Sequence, residues 1–589
     1  MTDKTPAAAL STSTPPSKLE PSGVSRRGFL GAGGLATAVL AAGGLGLEPM
    51  VRGSAASAAT LATPAELETG DAGSISPAVV RRDAAWSYRK GMADANRGLP
   101  LPPHPDNGDE ARYANRIGSY SKALPHNRFG EVDPGAYASY RAAVDSGVSG
   151  DFENIIMGGT NKLTNPQSGL AFDLEGADSH LLVEPAPPAL ASAEEAGEAV
   201  ELYWMALLRD VNFSDYAEHP LAAAAAAELS GLSDFHGLKS GGKVTPATLF
   251  RDPFPGCRVG PYLSQFMLLP TPFGAEYVVR QARTALPGDD HMTSFASWLT
   301  VQNGGPKDGS TAWDPVRRYL RNGRDLSAWV HVDVLFQAYF NACLILLTPP
   351  DPSDDVTGGG LGVPLNPGNP YRGSRTQIGF GTFGAPGIKA LMCEVASRAL
   401  KAQWYQKWFV HRRLRPEAFG GVLHVQQTKN RYPAGTLHDA ILRSEAAARV
   451  HDKNGTWLLP MAFPEGSPTH PAYGSGHATV AGACVTVLKA VFDESFPLPH
   501  PRVPTPDGLA LTEEPDSPTL TVGGELNKLA SNIATGRNHA GVHWRTDAIN
   551  AILLGEQVAI SILRDQKACY NETFSGFSFT KFDGTKITL

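Results

Sequence analysis

The chain has 589 residues, a formal net charge of −7, and is 42% hydrophobic and 19% charged. That is the composition of a globular protein long enough for an extensive core. The acidic balance gives no support to a nucleic-acid partner, which needs a basic face. It also means that a local cluster of cations needs a reason of its own.

Residues 1–58 stand apart from the fold. The first 24 are rich in Ser, Thr and Pro and read as disordered. Ser25-Arg26-Arg27-Gly28-Phe29-Leu30 then leads a Gly/Ala/Leu run to Leu47. Paired arginines before a weakly apolar segment resemble a twin-arginine export signal. Ala56-Ser57-Ala58 fits the small-residue cleavage pattern, so the mature chain is expected to begin near Ala59, in the periplasm or outside the cell. No later segment has about 18 consecutive apolar residues, so no membrane association is expected after cleavage. The five cysteines, Cys257, Cys343, Cys393, Cys484 and Cys569, are far apart and show no C-x-x-C spacing. An exported protein has room for one or two disulfides, but no pairing follows from the spacing. Cys484, inside an apolar stretch, reads as a free core thiol.

From 59 onward a single, mainly α domain is expected. Residues 83–150 mix charges with turn signals and read as surface segments between short helices. Ala191–Asp210 has early acids, a late cation and helical apolar spacing, and His219–Leu229 holds an Ala run; both read as helices. Residues 240–285 are broken by Gly and Pro. Asp333–Leu346 reads as a buried helix, Pro349–Pro386 as a long Gly/Pro loop, and Ile388–Trp408 as helix again. Pro468–Phe492 is a Gly/Ser turn feeding a buried helix. Pro497–Thr521 is a Pro-rich excursion, and Glu525–Thr535 and Asp547–Leu563 are two further helices. Period-two strand patterns are scarce. The architecture expected is a helical bundle with long loops and little strand.

Three short clusters carry chemistry. In Lys407-Trp408-Phe409-Val410-His411-Arg412-Arg413-Leu414-Arg415-Pro416, Lys407 and Arg415 lie eight apart, which on a helix puts both on one side, and Pro416 ends it or marks the exit. Ser475-Gly476-His477 opens the buried helix. Its free N–H groups and positive dipole end suit an anion, and a histidine there can trade protons with it. In Arg537-Asn538-His539-Ala540-Gly541-Val542-His543, Arg537 ends one helix and His543 begins the next, with Asp547 four residues on. A carboxylate there can hold one imidazole nitrogen and make the other a better ligand or nucleophile. Taken singly, these could be a solvated basic helix end, a helix cap and a polar loop.

Together, their order resembles the signature shared by vanadium-dependent haloperoxidases and the type 2 phosphatidic-acid phosphatases, which bind a tetrahedral oxyanion in a helical bundle. The segments KALPHNRFGEVDPGAY, LTNPQSGLAFDLEGADSH, FGTFGAPGIKAL, VHRRLRPEAFGG, PTHPAYGSGHAT and ELNKLASNIATGR are similar to vanadium bromoperoxidases of the red-algal type, from Lys122 to the last helices. Small phosphatases lack so long an N-terminal half, here 59–385, before the anion-binding half, 386–589. An acid phosphatase working through a phosphohistidine is the alternative. The chain departs from the algal pattern at Gly474, where those enzymes carry Pro, and from the phosphatase pattern at Gly536, where those usually carry Ser.

The resemblance implies vanadate as cofactor, without haem. His543 would bind the metal. Lys407, Arg415, Ser475, Gly476 and Arg537 would hold the vanadate oxygens. His477 would be the acid/base, Lys407 would polarise bound peroxide, and Asp547 would back His543. Three cations match a vanadate of high negative charge. It further implies that hydrogen peroxide oxidises a halide, bromide first and chloride or iodide as alternatives, to hypohalous acid that halogenates a small organic acceptor. Vanadium would stay in its +5 state as a Lewis acid. His470 and Trp404 are candidates near the halide, and a protonatable His470 would favour bromide and give a pH dependence. Residues 365–376 lack acidic ligands for a structural calcium, so none is expected there. Relatives form dimers or larger shells, which implies a homo-oligomer.

Overall fold

The computed structural model describes residues 77–589 apart from 352, 354–358, 499 and 516. The expected export signal lies outside the described residues. In chain order, the helices that matter below are α1 (Pro77–Gly98), α2 (Pro134–Ser146), α3 (Ala193–Leu207), α4 (Pro220–Gly231), α5 (Gly323–Val332), α6 (Gln337–Leu347), α7 (Ala385–Tyr405), α8 (Pro416–Lys429), α9 (Gly476–Val491), α10 (Val522–His539) and α11 (Arg545–Cys569). Strand among the described residues is confined to two-stranded antiparallel ribbons, such as β1 (Thr271–Phe273) with β2 (Glu276–Val278). The mainly helical class is therefore as the sequence implies.

The helix starts follow from their caps. Ser192, Asn322, Ser475 and Thr521 each accept a hydrogen bond from a first-turn N–H, of Glu195, Asp325, Ala478 and Gly524 respectively. Several expected boundaries move. A long helix, α1, replaces the short surface helices expected near residue 83. Asp333 does not begin a helix: it is the C-cap of α5, and α6 starts at Gln337. The helix carrying Lys407 stops being α-helical at Tyr405 and finishes as a π-turn over Gln406–His411. Arg412 then takes φ 42° and reverses the chain, and Pro416 is the first residue of α8.

α9 is the axis of the bundle. Every one of its residues except His477 is buried, as expected of a helix that is apolar all round. It packs most extensively on α11, and also on α7 and α10. The α9–α11 crossing depends on two glycines. A Cβ on Gly482 would overlap the Ile552 carbonyl, and one on Gly555 the Thr479 carbonyl. By length and hydropathy α11 could cross a membrane, but it is a core helix against α9 and α7. One apolar core runs continuously through both halves of the chain. A satellite cluster wraps the site helix: Tyr120 and Tyr140 stand edge-on to Trp408 at 5.7 and 6.0 Å. A buried Lys122–Glu417 ion pair at 2.9 Å ties the N-terminal half to the start of α8. All five cysteines are free, and Cys484 is buried.

Candidate active site

Three buried cations meet at the N-terminus of α9. Lys407 sits on the π-turn with none of its surface exposed, and donates to the carbonyls of Pro471 at 2.8 Å and Ala472 at 2.9 Å. Arg415, the N-cap residue of α8, donates from Nε to the His470 carbonyl (2.9 Å) and from one terminal nitrogen to the Val542 carbonyl (2.7 Å). Arg537, on the last turns of α10, donates to the Val330 carbonyl at 2.8 Å, lies 5.2 Å from the Phe463 ring centre, and buries Nε without a partner. Among the described residues none of the three forms an ion pair with a carboxylate; their direct partners are carbonyls and imidazoles.

Burial, with repulsion from Arg415 and Arg537, drives the Lys407 ammonium well below its ordinary range. Burial likewise lowers Arg415 and Arg537 to about 10. Concentrated positive charge held out of water is costly unless an anion shares it. The helix start adds donors: the Ser475 hydroxyl and, in the first turn, the N–H groups of Gly476 and His477, which have no acceptor among the described residues. These groups are nearly all hydrogen-bond donors. They fit a polyanionic oxyanion rather than a bare metal cation.

The one group that fits a metal bond is His543. It lies just before Trp544, the N-cap of α11, rather than inside the helix. Its Nδ1 is 2.9 Å from Asp547 Oδ2, and its Nε2 is 3.0 Å from Arg415. A carboxylate only accepts and a guanidinium only donates, so Nδ1 carries the proton and Nε2 the lone pair. Burial, then the charges of Arg415, Lys407 and Arg537, hold this imidazole neutral, with its pKa far below the usual value. Asp547 also caps α11 by accepting from the Trp544 N–H at 3.1 Å. Its own carbonyl accepts from Ser475 N at 2.9 Å, binding the anion loop to α11.

His477 differs from the other site groups. Its side chain is 23% exposed and Nε2 is 3.0 Å from Asp333 Oδ1. His470 and Trp404 do come together beside the cations. Their rings are 4.7 Å apart, and the indole N–H donates to the Thr164 carbonyl. The expectation of a protonatable His470 does not survive. Arg415 donates to its Nδ1 at 2.8 Å, and burial, then the Arg415 and Lys407 charges, push its pKa far down. With Nδ1 accepting from Arg415, its 3.2 Å approach to the Pro471 carbonyl is not a hydrogen bond.

Thus Lys407, Arg415, Ser475, Arg537, His543 and Asp547, drawn from all three clusters, converge, although Lys407 and Arg415 do so across a chain reversal rather than along one helix. Four partners were missed. Asp333 is 144 residues from His477 and carries no local signal. Arg413 lies within the basic cluster but faces away, to Asp547, Glu195 and Glu198. The signal for Glu195 and Glu198 was legible: buried acids on the otherwise apolar α3 require buried cations.

A family profile described as the VCPO second helical-bundle domain matches residues 392–572, the segment holding all three clusters. The vanadium-dependent bromoperoxidase of Corallina pilulifera is 38% identical over 86% of this chain and 98% of its own length. That of Corallina officinalis is 37% identical over 85% and 94%. The solved structure of the second vanadate-dependent bromoperoxidase from Ascophyllum nodosum, a homohexamer, superposes with a TM-score of 0.80 at 32% identity, over 90% of this chain and 96% of that one. With the fold, the donor pocket and relatives matched over nearly their full length, the chain belongs to the vanadium-dependent bromoperoxidase family.

Proposed function

We propose that the protein is a vanadium-dependent bromoperoxidase that uses hydrogen peroxide to oxidise bromide and so halogenates small organic acceptors. The observation that carries this reading is the buried set Lys407, Arg415 and Arg537, which has no carboxylate partner among the described residues and surrounds a neutral imidazole whose Nε2 lone pair faces Arg415. Bound vanadate supplies a Lewis acid that makes peroxide electrophilic toward halide.

The chain supplies the rest. Lys407, Arg415 and Arg537 neutralise the oxyanion, and arginine's planar fork suits its oxygens. The Ser475 hydroxyl and the Gly476 N–H complete the cradle, and His543 offers Nε2. Asp333 accepts from Nε2–H of His477, which leaves Nδ1 as the atom that would take up and return a proton beside the bound oxyanion. Lys407, held by the Pro471 and Ala472 carbonyls, would place positive charge beside bound peroxide and draw charge from it. His470 and Trp404 form the neutral, aromatic side of the site nearest the cations, where a halide can be held without a second anion to repel it. Export by the twin-arginine route, supported by Arg26-Arg27 and the apolar run after them, and self-association, supported by the homohexameric neighbour, belong to the same proposal.

The test is reconstitution. Purified protein given orthovanadate should brominate a phenol-type dye with peroxide and bromide, and the vanadate-free protein should not. Vanadium bound without oxidation of any halide would refute the proposal.

A further inference from the structure

Resting on that bromoperoxidase reading, we propose that Arg413 is a positioning residue for the metal-binding histidine: held by Glu195 and Glu198 of α3, it fixes the Asp547 carboxylate so that His543 keeps its proton on Nδ1 and its lone pair on Nε2. Arg413 donates from one terminal nitrogen to Asp547 Oδ1 at 2.7 Å and to the Thr546 hydroxyl at 2.8 Å. From the other it donates to Glu198 at 2.9 Å and to Glu195. Its guanidinium lies over the Trp544 ring, 4.9 Å from the centre. Glu198 also accepts from the Thr546 N–H at 2.7 Å. The first turn of α11 is therefore clamped to α3 from two sides.

The two oxygens of Asp547 divide the work. Oδ1 takes Arg413; Oδ2 takes His543 Nδ1–H and the Trp544 N–H. Among the described residues Arg413 is the only cation bonded to this carboxylate. Without it nothing holds Oδ1, and the carboxylate can turn about its last torsion, toward or away from the imidazole. A neutral imidazole has two tautomers, and the hydrogen bond at one nitrogen decides which nitrogen is free for a metal. The charges of the clamp are also matched. Burial raises the pKa of both Glu195 and Glu198 and the Arg413 charge opposes that rise, so the guanidinium is what holds this pair of acids in the interior.

The test compares two variants in which uncompensated charge does not obscure the result. Glu195→Gln/Glu198→Gln keeps the Arg413–Asp547 contact; adding Arg413→Gln removes it. In vanadate-free protein labelled with 15N-histidine, with His543 assigned by its loss in His543→Ala, the double variant should keep the Nδ1–H spectrum and the triple should show a tautomer mixture. The orthovanadate Kd should stay within about threefold of wild type in the double variant and rise about 10–100-fold in the triple, at matched thermal midpoints. A triple variant with the wild-type tautomer and Kd overturns the proposal. Should the triple fail to fold, Arg413→Lys, which keeps the charge but not the fork, replaces it: a raised Kd is expected, and an unchanged Kd and tautomer overturn the idea. The tautomer comparison needs no vanadate. It therefore stands or falls separately from the bromoperoxidase reading, which fails if wild-type protein binds vanadate and oxidises no halide.

Discussion

Arg413 and Arg415 are two residues apart, both buried, and in opposite electrostatic circumstances. Arg413 lies in a layer of matched charges, with Glu195, Glu198 and Asp547. Arg545 does the same with Glu201 and Asp252. Burial disfavours the charge of both guanidinia, yet their carboxylates outweigh it and raise their pKa. Arg415, with Lys407 and Arg537, has no such partner and is pushed the other way. Paired cations of this kind hold a fold together. Cations left unpaired in the same interior hold it under tension until an external anion arrives, and that difference locates the site.

The comparison can be broken most decisively at the histidines. His477→Ala should retain vanadate but lose roughly 10²–10⁴-fold in turnover, the usual range for a lost acid/base. His543→Ala should lose vanadate itself. Equal vanadate loss in both, measured by equilibrium dialysis, would mean that their roles are exchanged.

Next come the arginines. Arg545→Met strands Glu201 and Asp252 in the core and should destabilise the vanadate-free protein by about 3–5 kcal/mol, read by urea unfolding. Arg537→Met relieves repulsion and strands no carboxylate, so the vanadate-free protein should be as stable or more so, while vanadate binding falls about 10²-fold. Matching losses of stability in the two variants would erase the distinction between the regions.

Vanadate at 100 times its Kd should stabilise the wild type by about 2.7 kcal/mol, and Arg537→Met far less at the same concentration. A differential thermal scan with and without vanadate checks this.

Stability should also depend on pH. Burial lowers the imidazoles of His411 and His539 to about 3, and that of His126 to about 4, from an ordinary 6.5. Native protein keeps them neutral where the unfolded chain takes up protons. Their contribution is therefore complete above pH 6.5 and is lost as pH falls toward the folded values, by up to about 1.4 kcal/mol per pH unit for each group. Urea midpoints that do not fall between pH 6.5 and 4.5 would contradict it.

The sequence made the anion-binding groups legible because each cluster is compact: Ser475-Gly476-His477 is a cap and its first turn, and Asp547 follows His543 by four residues. It also made α9 legible, because an all-apolar run after a Gly/Ser turn has nowhere to go but the core. What was not legible depends on contacts across hundreds of residues. Asp333 reads as the start of α6, yet as the C-cap of α5 it reaches His477. Arg412, Arg413 and Arg415 look alike in sequence. The left-handed turn at Arg412 sends Arg413 to α3 and Arg415 to the anion site, and a residue string does not show that reversal. Whether His470 is protonatable was not legible either; burial, then Arg415 and Lys407 brought in by folding, keep it neutral.

The central claim is that three carboxylate-free cations and one oriented imidazole hold a single catalytic vanadate. Titrating vanadate-free protein with orthovanadate while following bromination of a phenol dye by peroxide and bromide tests it directly. The account predicts activity that is absent at the start, rises linearly and stops at one equivalent per chain. Full activity before any vanadate is added, or saturating vanadate with no bromination, would contradict it.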